Sequence, residues 1–319
     1  MQFGFSLPGR GPLARPDVLV KLAERADALR FSSLFVTDHI VIPTSYRSTY
    51  PYSPTGKAAG DWGQGYLEPL ALMSYLAGAT SRIRLGTSVL VVPYRNPVTT
   101  AKMLATLDVM TGGRVILGAG VGWLREEFEA LGSPPYAERG KVTDEYIRLM
   151  RECWTREPVE FSGAYYRLPP VSVLPKPVQK GGIPVWIGGH TDSALRRVGE
   201  TGDGWHPIGH RAPAMLFPDE YAEKVSIIHG WARKAGRDPK EITLSFRVPM
   251  DVTSSRTKTT ERIPFRGPAG QVIEDIRSYQ ALGVTHFVFD LAPQELKGQL
   301  ATMERFAEEV RPRTSRAPR

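Results

Sequence analysis

Two adjacent residues, Asp38 and His39, end a short apolar run in "SLFVTDHIVIP", residues 33–43. An imidazole titrates near neutral pH and can move a proton, and a carboxylate beside it can orient the ring or balance its charge. Consecutive strand residues point to opposite faces, so at least one of the pair must face a cavity mouth or the surrounding helices. An N-cap beside a core histidine reads the pair equally simply. His206, in "GDGWHP", is a second strand-end histidine and the main competitor. His190 and His210 are weaker candidates, while His229 and His286 read as structural or surface residues.

Glycine supplies a second signal. "LGAGVG" (117–122) has glycines at 118, 120 and 122, so the G-x-G-x-x-G spacing of a dinucleotide fingerprint fails. Either these glycines ease a crowded rim, or Gly120 and Gly122 let a planar ring lie against the backbone. In "PVWIGGHTDSALRRVGE" (184–200) an apolar run through Ile187 meets Gly188, Gly189 and His190. Thr191, Asp192 or Ser193 then caps a helix. Backbone N–H groups at such a start bind phosphate, with Arg196 or Arg197 near, although an ordinary glycine turn reads the same residues as well.

Strands must carry these residues. Apolar runs at 2–7, 34–37, 83–92, 114–120, 184–189, 202–207, 242–250 and 286–291 alternate with helical patterns. Examples of the latter are 17–29, 192–200, 220–235, 269–282 and 294–310. Eight strand–helix units predict an α/β fold, a single (β/α)8 TIM barrel over residues 1–310, ahead of a doubly wound open sheet. Insertions are expected after the second strand (40–66) and before the fifth (155–182). The second insertion contains a hairpin in "EPVEFSGAYYRL" and an extended strip in "LPKPVQKGG".

In such a barrel the site lies at the carboxyl ends of the strands. Those ends hold no His-x-His for a metal, no facing glutamates for glycoside hydrolysis and no strand lysine for a Schiff base. They offer glycine, small apolar residues and Asp38 with His39, a lining suited to a flat organic cofactor that does the hard chemistry itself.

Composition bounds the rest. A chain of 319 residues, 41% hydrophobic and 23% charged, can bury a large core without staples. Its single cysteine, Cys153, excludes an internal disulfide and suits a reducing cytosol. The net charge of +8 falls to +4 without the last nine residues, which hold four arginines. A disordered basic tail is therefore expected over 311–319. No basic–aromatic stripe suggests nucleic acid, and the mild excess of base is compatible with an acidic small ligand. No run approaches the roughly 18 apolar residues of a membrane span, and residues 1–11 show no signal peptide, so a cytoplasmic protein is expected.

The same stretches carry a family resemblance. They are "TDH" (37–39), "IRLGTSVLVVPYRNPVTTAKMLATLD" (83–108), "GRVILGAGVGWLREEFEALG" (113–132), "ERGKVTDEYIRLMRECWT" (138–155) and "PVWIGGHTDSALRRVGETGDGWHP" (184–207). In that order they resemble the bacterial luciferase-like superfamily of barrel flavin and deazaflavin oxidoreductases, most nearly the branch that uses coenzyme F420. The match covers most of residues 1–210 and is mainly architectural beyond them. It implies a cofactor ring across the carboxyl mouth, with His39 as proton donor or acceptor and Asp38 near the cofactor. It also implies a bulged third strand with a cis peptide at Ser88–Val89, a phosphate contact at Gly188–Gly189, and a homodimer.

Sugar-phosphate dehydrogenases of that branch place a glutamate where this chain has Trp123, and Glu126 and Glu127 are expected to face solvent. Reduction of an apolar or conjugated compound fits tryptophan better than oxidation of a sugar alcohol. Trp123, Trp62 and His206, with Tyr46, Tyr50 and Tyr52, are expected near the substrate. The leading expectation is an F420-dependent oxidoreductase moving a hydride between the deazaflavin C5 and a small organic substrate. The alternatives are an FMN-dependent monooxygenase, supplied with reduced flavin by a separate reductase, and a non-catalytic flavin- or deazaflavin-binding protein.

Overall fold

The computed structural model describes residues 1–58, 65–253 and 262–314. Eight parallel strands form a ring: Gln2–Ser6, Ser33–Val36, Arg84–Thr87, Val115–Gly120, Val185–Ile187, Gly204–Trp205, Thr243–Val252 and His286–Leu291. The first strand pairs with the eighth, setting Ser6 opposite Asp290, and the sixth pairs with the seventh, setting Gly204 opposite Thr243. The predicted (β/α)8 barrel is the fold.

Residue parity decides what each strand buries. Phe3, Phe5, Leu34, Val36, Val115, Leu117, Val185, Ile187, Phe287 and Phe289 belong to the layer beneath the helices, where Phe31 and Phe306 pack on them. Their neighbours Phe35, Ile116, Trp186 and Val288 form a separate cluster that plugs the barrel interior. A strand buried on both faces reads as an unbroken apolar run, which is why the runs were legible.

The helices wrap the ring: α1 Pro16–Ala28, α2 Pro69–Ala79, α3 Pro97–Thr111, α4 Arg125–Ala130, α5 Arg139–Thr155, α6 Asp192–Thr201, α7 Pro218–Lys234, α8 Ala269–Gln280 and α9 Leu296–Arg305. Proline opens α1, α2, α3 and α7, where its missing N–H costs nothing. Asn96 caps α3 by accepting from the Val98 and Thr99 N–H groups, and Thr191 caps α6 by accepting from Ala194 N–H. The expected hairpin forms between Val159–Ser162 and Arg167–Val171.

One expectation from the resemblance is met: the run 83–92 breaks at a cis Ser88–Val89 bond, and Leu90–Val91 resumes pairing against Ala119 and Gly120. Another is corrected. The chain does not leave the fold at 311. Arg311–Thr314 are helical, with the Arg311 guanidinium over the Phe31 ring and donating to the Leu29 carbonyl at the end of α1, and Thr314 buried. A cation on a helix carboxyl end is a favourable contact that charge counting cannot see. The remainder of the basic stretch, 315–319, lies outside the described residues. Among the described residues, no helix is long and apolar enough to cross a membrane.

Candidate active site

At the tip of the second strand, parity separates the two residues expected to work as a pair. Asp38 follows Leu34 and Val36 to the helix side. Its Oδ1 and Oδ2 accept from Arg95 at 2.8 and 2.7 Å, and Oδ2 also accepts from the Val91 N–H at 2.8 Å. The Asp38 carboxylate is wholly buried, and Arg95 bridges it to Glu68, whose other oxygen caps α2 at Ala71 N–H. Asp38 thus fastens the second strand to the bulged third strand and to the start of α3.

His39 takes the other face and a different carboxylate. Its Nδ1 lies 2.6 Å from Glu127 Oε2. The expectation that Glu127 faces solvent is wrong: its side chain is fully buried. The reason is position, because Glu127 lies in the first turn of α4, directly beneath the start of the second-strand insertion. There it accepts from Ile40 N–H at 2.8 Å, Val41 N–H at 3.2 Å and Tyr94 Oη at 2.9 Å. Glu126 likewise accepts from the Arg47 and Ser48 N–H groups and from Ser48 Oγ. Burial pushes Glu126 up, but those donors outweigh it and hold the carboxyl near 2. Carboxylates collecting backbone N–H groups in this way are strong anchors. The signal was two glutamates in a helix first turn, beside a long loop rich in unpaired amides.

The glycines serve the bulge. A Cβ on Gly120 would stand 2.3 Å from Val89 Cγ2, and one on Gly188 would stand 2.8 Å from Val89 Cγ1. The third strand packs closely on these glycines, as the crowded-rim reading of "LGAGVG" expects. Gly122 is packed in the same manner against Phe128 and Val91. Ile187 faces the helix layer. At the following turn Gly189 has φ +102°, a conformation costly to other residues, and its carbonyl accepts from Trp205 Nε1 at 3.0 Å.

His206 is not a pocket residue. It is 3% exposed, stacked on Phe35 with centroids 4.9 Å apart, and its Nε2 and Nδ1 each lie 2.8 Å from a hydroxyl, Ser88 Oγ and Ser245 Oγ. Burial, reinforced by Arg247, holds its pKa down at about 3. His286 is equally enclosed, between Ser33 Oγ and Gln2 Oε1.

A second charged group sits on the seventh and eighth strands, and no sequence motif marks it. Arg247, an inward position of the seventh strand, donates to Asp290 through Nε at 2.9 Å and Nη2 at 2.7 Å, to the Ser88 carbonyl and Oγ at 2.9 Å, and to Ser6 Oγ at 3.0 Å. Arg211 donates to the second Asp290 oxygen at 2.8 Å. Burial pushes Asp290 up, yet the two guanidiniums outweigh it and hold the carboxyl below its usual value. A charge at an inward position in "LSFRVPM" and another in "FVFDL" were the available signals.

Aromatic rings close the mouth. Tyr66 lies 4.9 Å from the His39 ring, Trp123 lies 6.2 Å from His39 and 5.0 Å from Tyr50, and Tyr46 lies 5.9 Å from Trp123. Tyr50 meets Tyr52 at 5.7 Å, and Tyr52 meets His190 at 5.9 Å. The described part of the insertion after the second strand therefore lies over the barrel end, with Tyr46, Tyr50, Tyr52 and Tyr66 turned toward His39, Trp123 and His190. Trp62 lies outside the described residues. Among the described residues His190 Nε2 is buried without a hydrogen-bond partner, and burial, with Lys224 adding to it, lowers the His190 pKa to about 4.

Comparison with known proteins agrees with this geometry. Residues 1–266 match the family model of luciferase-like monooxygenases. An F420-dependent glucose-6-phosphate dehydrogenase of Amycolatopsis mediterranei is 34% identical over 256 residues, 79% of this chain and 70% of that protein. Two solved structures superpose with TM-scores of 0.78. One is the monooxygenase RslO1 from Streptomyces bottropensis, 20% identical, covering 98% of this chain and 99% of that one. The other is an F420-dependent secondary alcohol dehydrogenase in complex with an F420–acetone adduct, 19% identical, covering 98% of each.

Proposed function

This chain belongs to the luciferase-like monooxygenase family, and from that premise we propose that it is an oxidoreductase using coenzyme F420. The observation that carries the reading is His39 at the barrel mouth, held by the buried Glu127 carboxylate at 2.6 Å. The named relative of Amycolatopsis mediterranei supports F420 as the cofactor.

The residues present fit such a group. The Gly188–Gly189 turn and the start of α6 offer backbone N–H groups of the kind a phosphorylated ligand would use, and beside them His190 Nε2 is buried without a hydrogen-bond partner among the described residues. Ser88 and Val89 form the floor behind the mouth, against Gly120. When bound, the deazaflavin supplies the hydride carrier at its C5. His39 exchanges the accompanying proton. With Nδ1 engaged by Glu127, any proton exchanged with the mouth passes through Nε2, and the carboxylate stabilises the ring when it is charged. Asp38 and Arg95 act one step back, holding the strand tips in register. The loop tyrosines and Trp123 exclude water and offer flat surfaces to a conjugated substrate.

Titration of the protein with F420 and with FMN tests the cofactor, and turnover with unsaturated or quinone-like acceptors tests the reaction. Affinity for FMN with none for F420 replaces the reading with the FMN-dependent monooxygenase fed by a separate reductase, an alternative favoured by the RslO1 likeness. Tight binding without turnover, unchanged in His39→Asn, indicates a non-catalytic binding protein. The expected homodimer is part of the proposal, supported by Tyr75, Met103 and Met110 exposed on the packed helices α2 and α3. Met110→Asp is then expected to sediment as a monomer.

A further inference from the structure

We infer that the substrate half of this site takes a flat, conjugated organic acid, with its carboxylate at Arg211 on the rim formed by the sixth to eighth strands. The chemistry rests on the function proposed above; the binding does not.

The first observation is charge. Arg247 and Arg211 share one carboxylate, Asp290, so the group carries an excess of positive charge at the mouth. The other carboxylates nearby are committed, Glu127 to His39 and Asp38 to Arg95. The second observation is incomplete bonding. Arg247 spends its donors on Asp290, Ser88 and Ser6, whereas Arg211 Nε is buried without a hydrogen-bond partner among the described residues. A guanidinium edge with an unused N–H suits a carboxylate oxygen, and water-shielded pairs of this kind are stronger than surface ones.

The third observation is Tyr50. Its ring lies beside Trp123, while its hydroxyl feels Arg247, Arg211 and Arg10. Burial raises the phenol, and those three cations pull the other way. The loop itself thus sets an aromatic ring against Trp123, and a flat ligand replaces it or stacks on it.

Calorimetric titration with trans-cinnamate and with its neutral isostere cinnamamide, with and without F420 present, tests the inference. Cinnamate is expected to bind at least about tenfold more tightly, with affinity falling at high salt. Arg211→Gln is expected to abolish that preference and leave F420 affinity unchanged, while Arg211→Lys retains part of it. Equal affinity for the two compounds, or no saturable binding of cinnamate, overturns the inference on wild-type protein alone. Arg211→Gln weakening F420 but not cinnamate also overturns it, by assigning the arginine to the cofactor. Failure of F420 to bind, with the cinnamate preference intact, sinks the cofactor assignment and leaves this subsite standing.

Discussion

His39 and His206 are the same side chain at equivalent places, each just past the end of a barrel strand, and the fold gives them opposite work. His206 follows the two-residue sixth strand and is turned into the barrel, between two serine hydroxyls and against Phe35. It is held neutral because burial, reinforced by Arg247, outweighs the opposing pull of Asp290. His39 extends a strand that ends among glutamate, tyrosine and tryptophan, and a buried carboxylate waits at its Nδ1. What distinguishes a proton carrier from a core residue here is the second group the ring meets. That group comes from α4 in one case and from the third and seventh strands in the other.

Replacing His39 tests the contrast most severely. His39→Asn keeps a donor for Glu127 and removes Nε2, so turnover is expected to fall by about 10²–10⁴ with the melting temperature nearly unchanged. Stopped-flow assays alongside thermal melts would show it; a stable variant with full turnover ends the proposed role. His206→Ala is expected to behave in reverse. Losing a fully packed ring costs about 3–5 kcal/mol in chemical denaturation, while turnover per folded molecule changes by less than about tenfold, an effect of under roughly 1.4 kcal/mol on the barrier.

Asp38 sharpens the same division one residue earlier. Asp38→Asn leaves Arg95 with Glu68 alone, and a loss of about 3 kcal/mol of stability is expected. Loss of turnover without destabilisation would instead return Asp38 to the chemistry. The smallest expected effect is in pH. His206 has a pKa of about 3 in the fold, against the ordinary value of 6.5. Between those values the unfolded chain binds a proton that the folded protein refuses. Stability therefore falls as pH drops below 6.5, at about 1.4 kcal/mol per pH unit for this group. A mutant lacking the His206 imidazole should lose that part of the slope in melts between pH 6 and pH 4 (roughly the span of the two values).

Much of this architecture was written in residue patterns. Apolar runs two-sided in burial announced parallel strands, and their number announced the ring. The order of "TDH", the glycine stretch and the "IGGH" turn carried the family. The same patterns misread Glu127, because charge on a short helix looks solvated until the loop that covers it is known. They also overrated His206, because a strand end does not state whether its last side chain turns toward the opening or down into the plug. Arg247 and Asp290 were passed over although parity within apolar strands could have exposed them, each being an inward charge flanked by outward apolar residues.

By itself the chain determined its periodicities: which residues alternate, which helices begin at proline, and where glycine must stand. Those are local consequences of sterics and of burying both faces of a strand. Tertiary structure alone decided partnership. Closure of the ring brings Arg247 to Ser88 and Ser6 across the barrel, and the insertion after the second strand sets its amides on Glu126 and Glu127. A hydrogen bond depends on positions to within a few tenths of an ångström, and positions separated by many tens of residues are set only when the whole barrel closes.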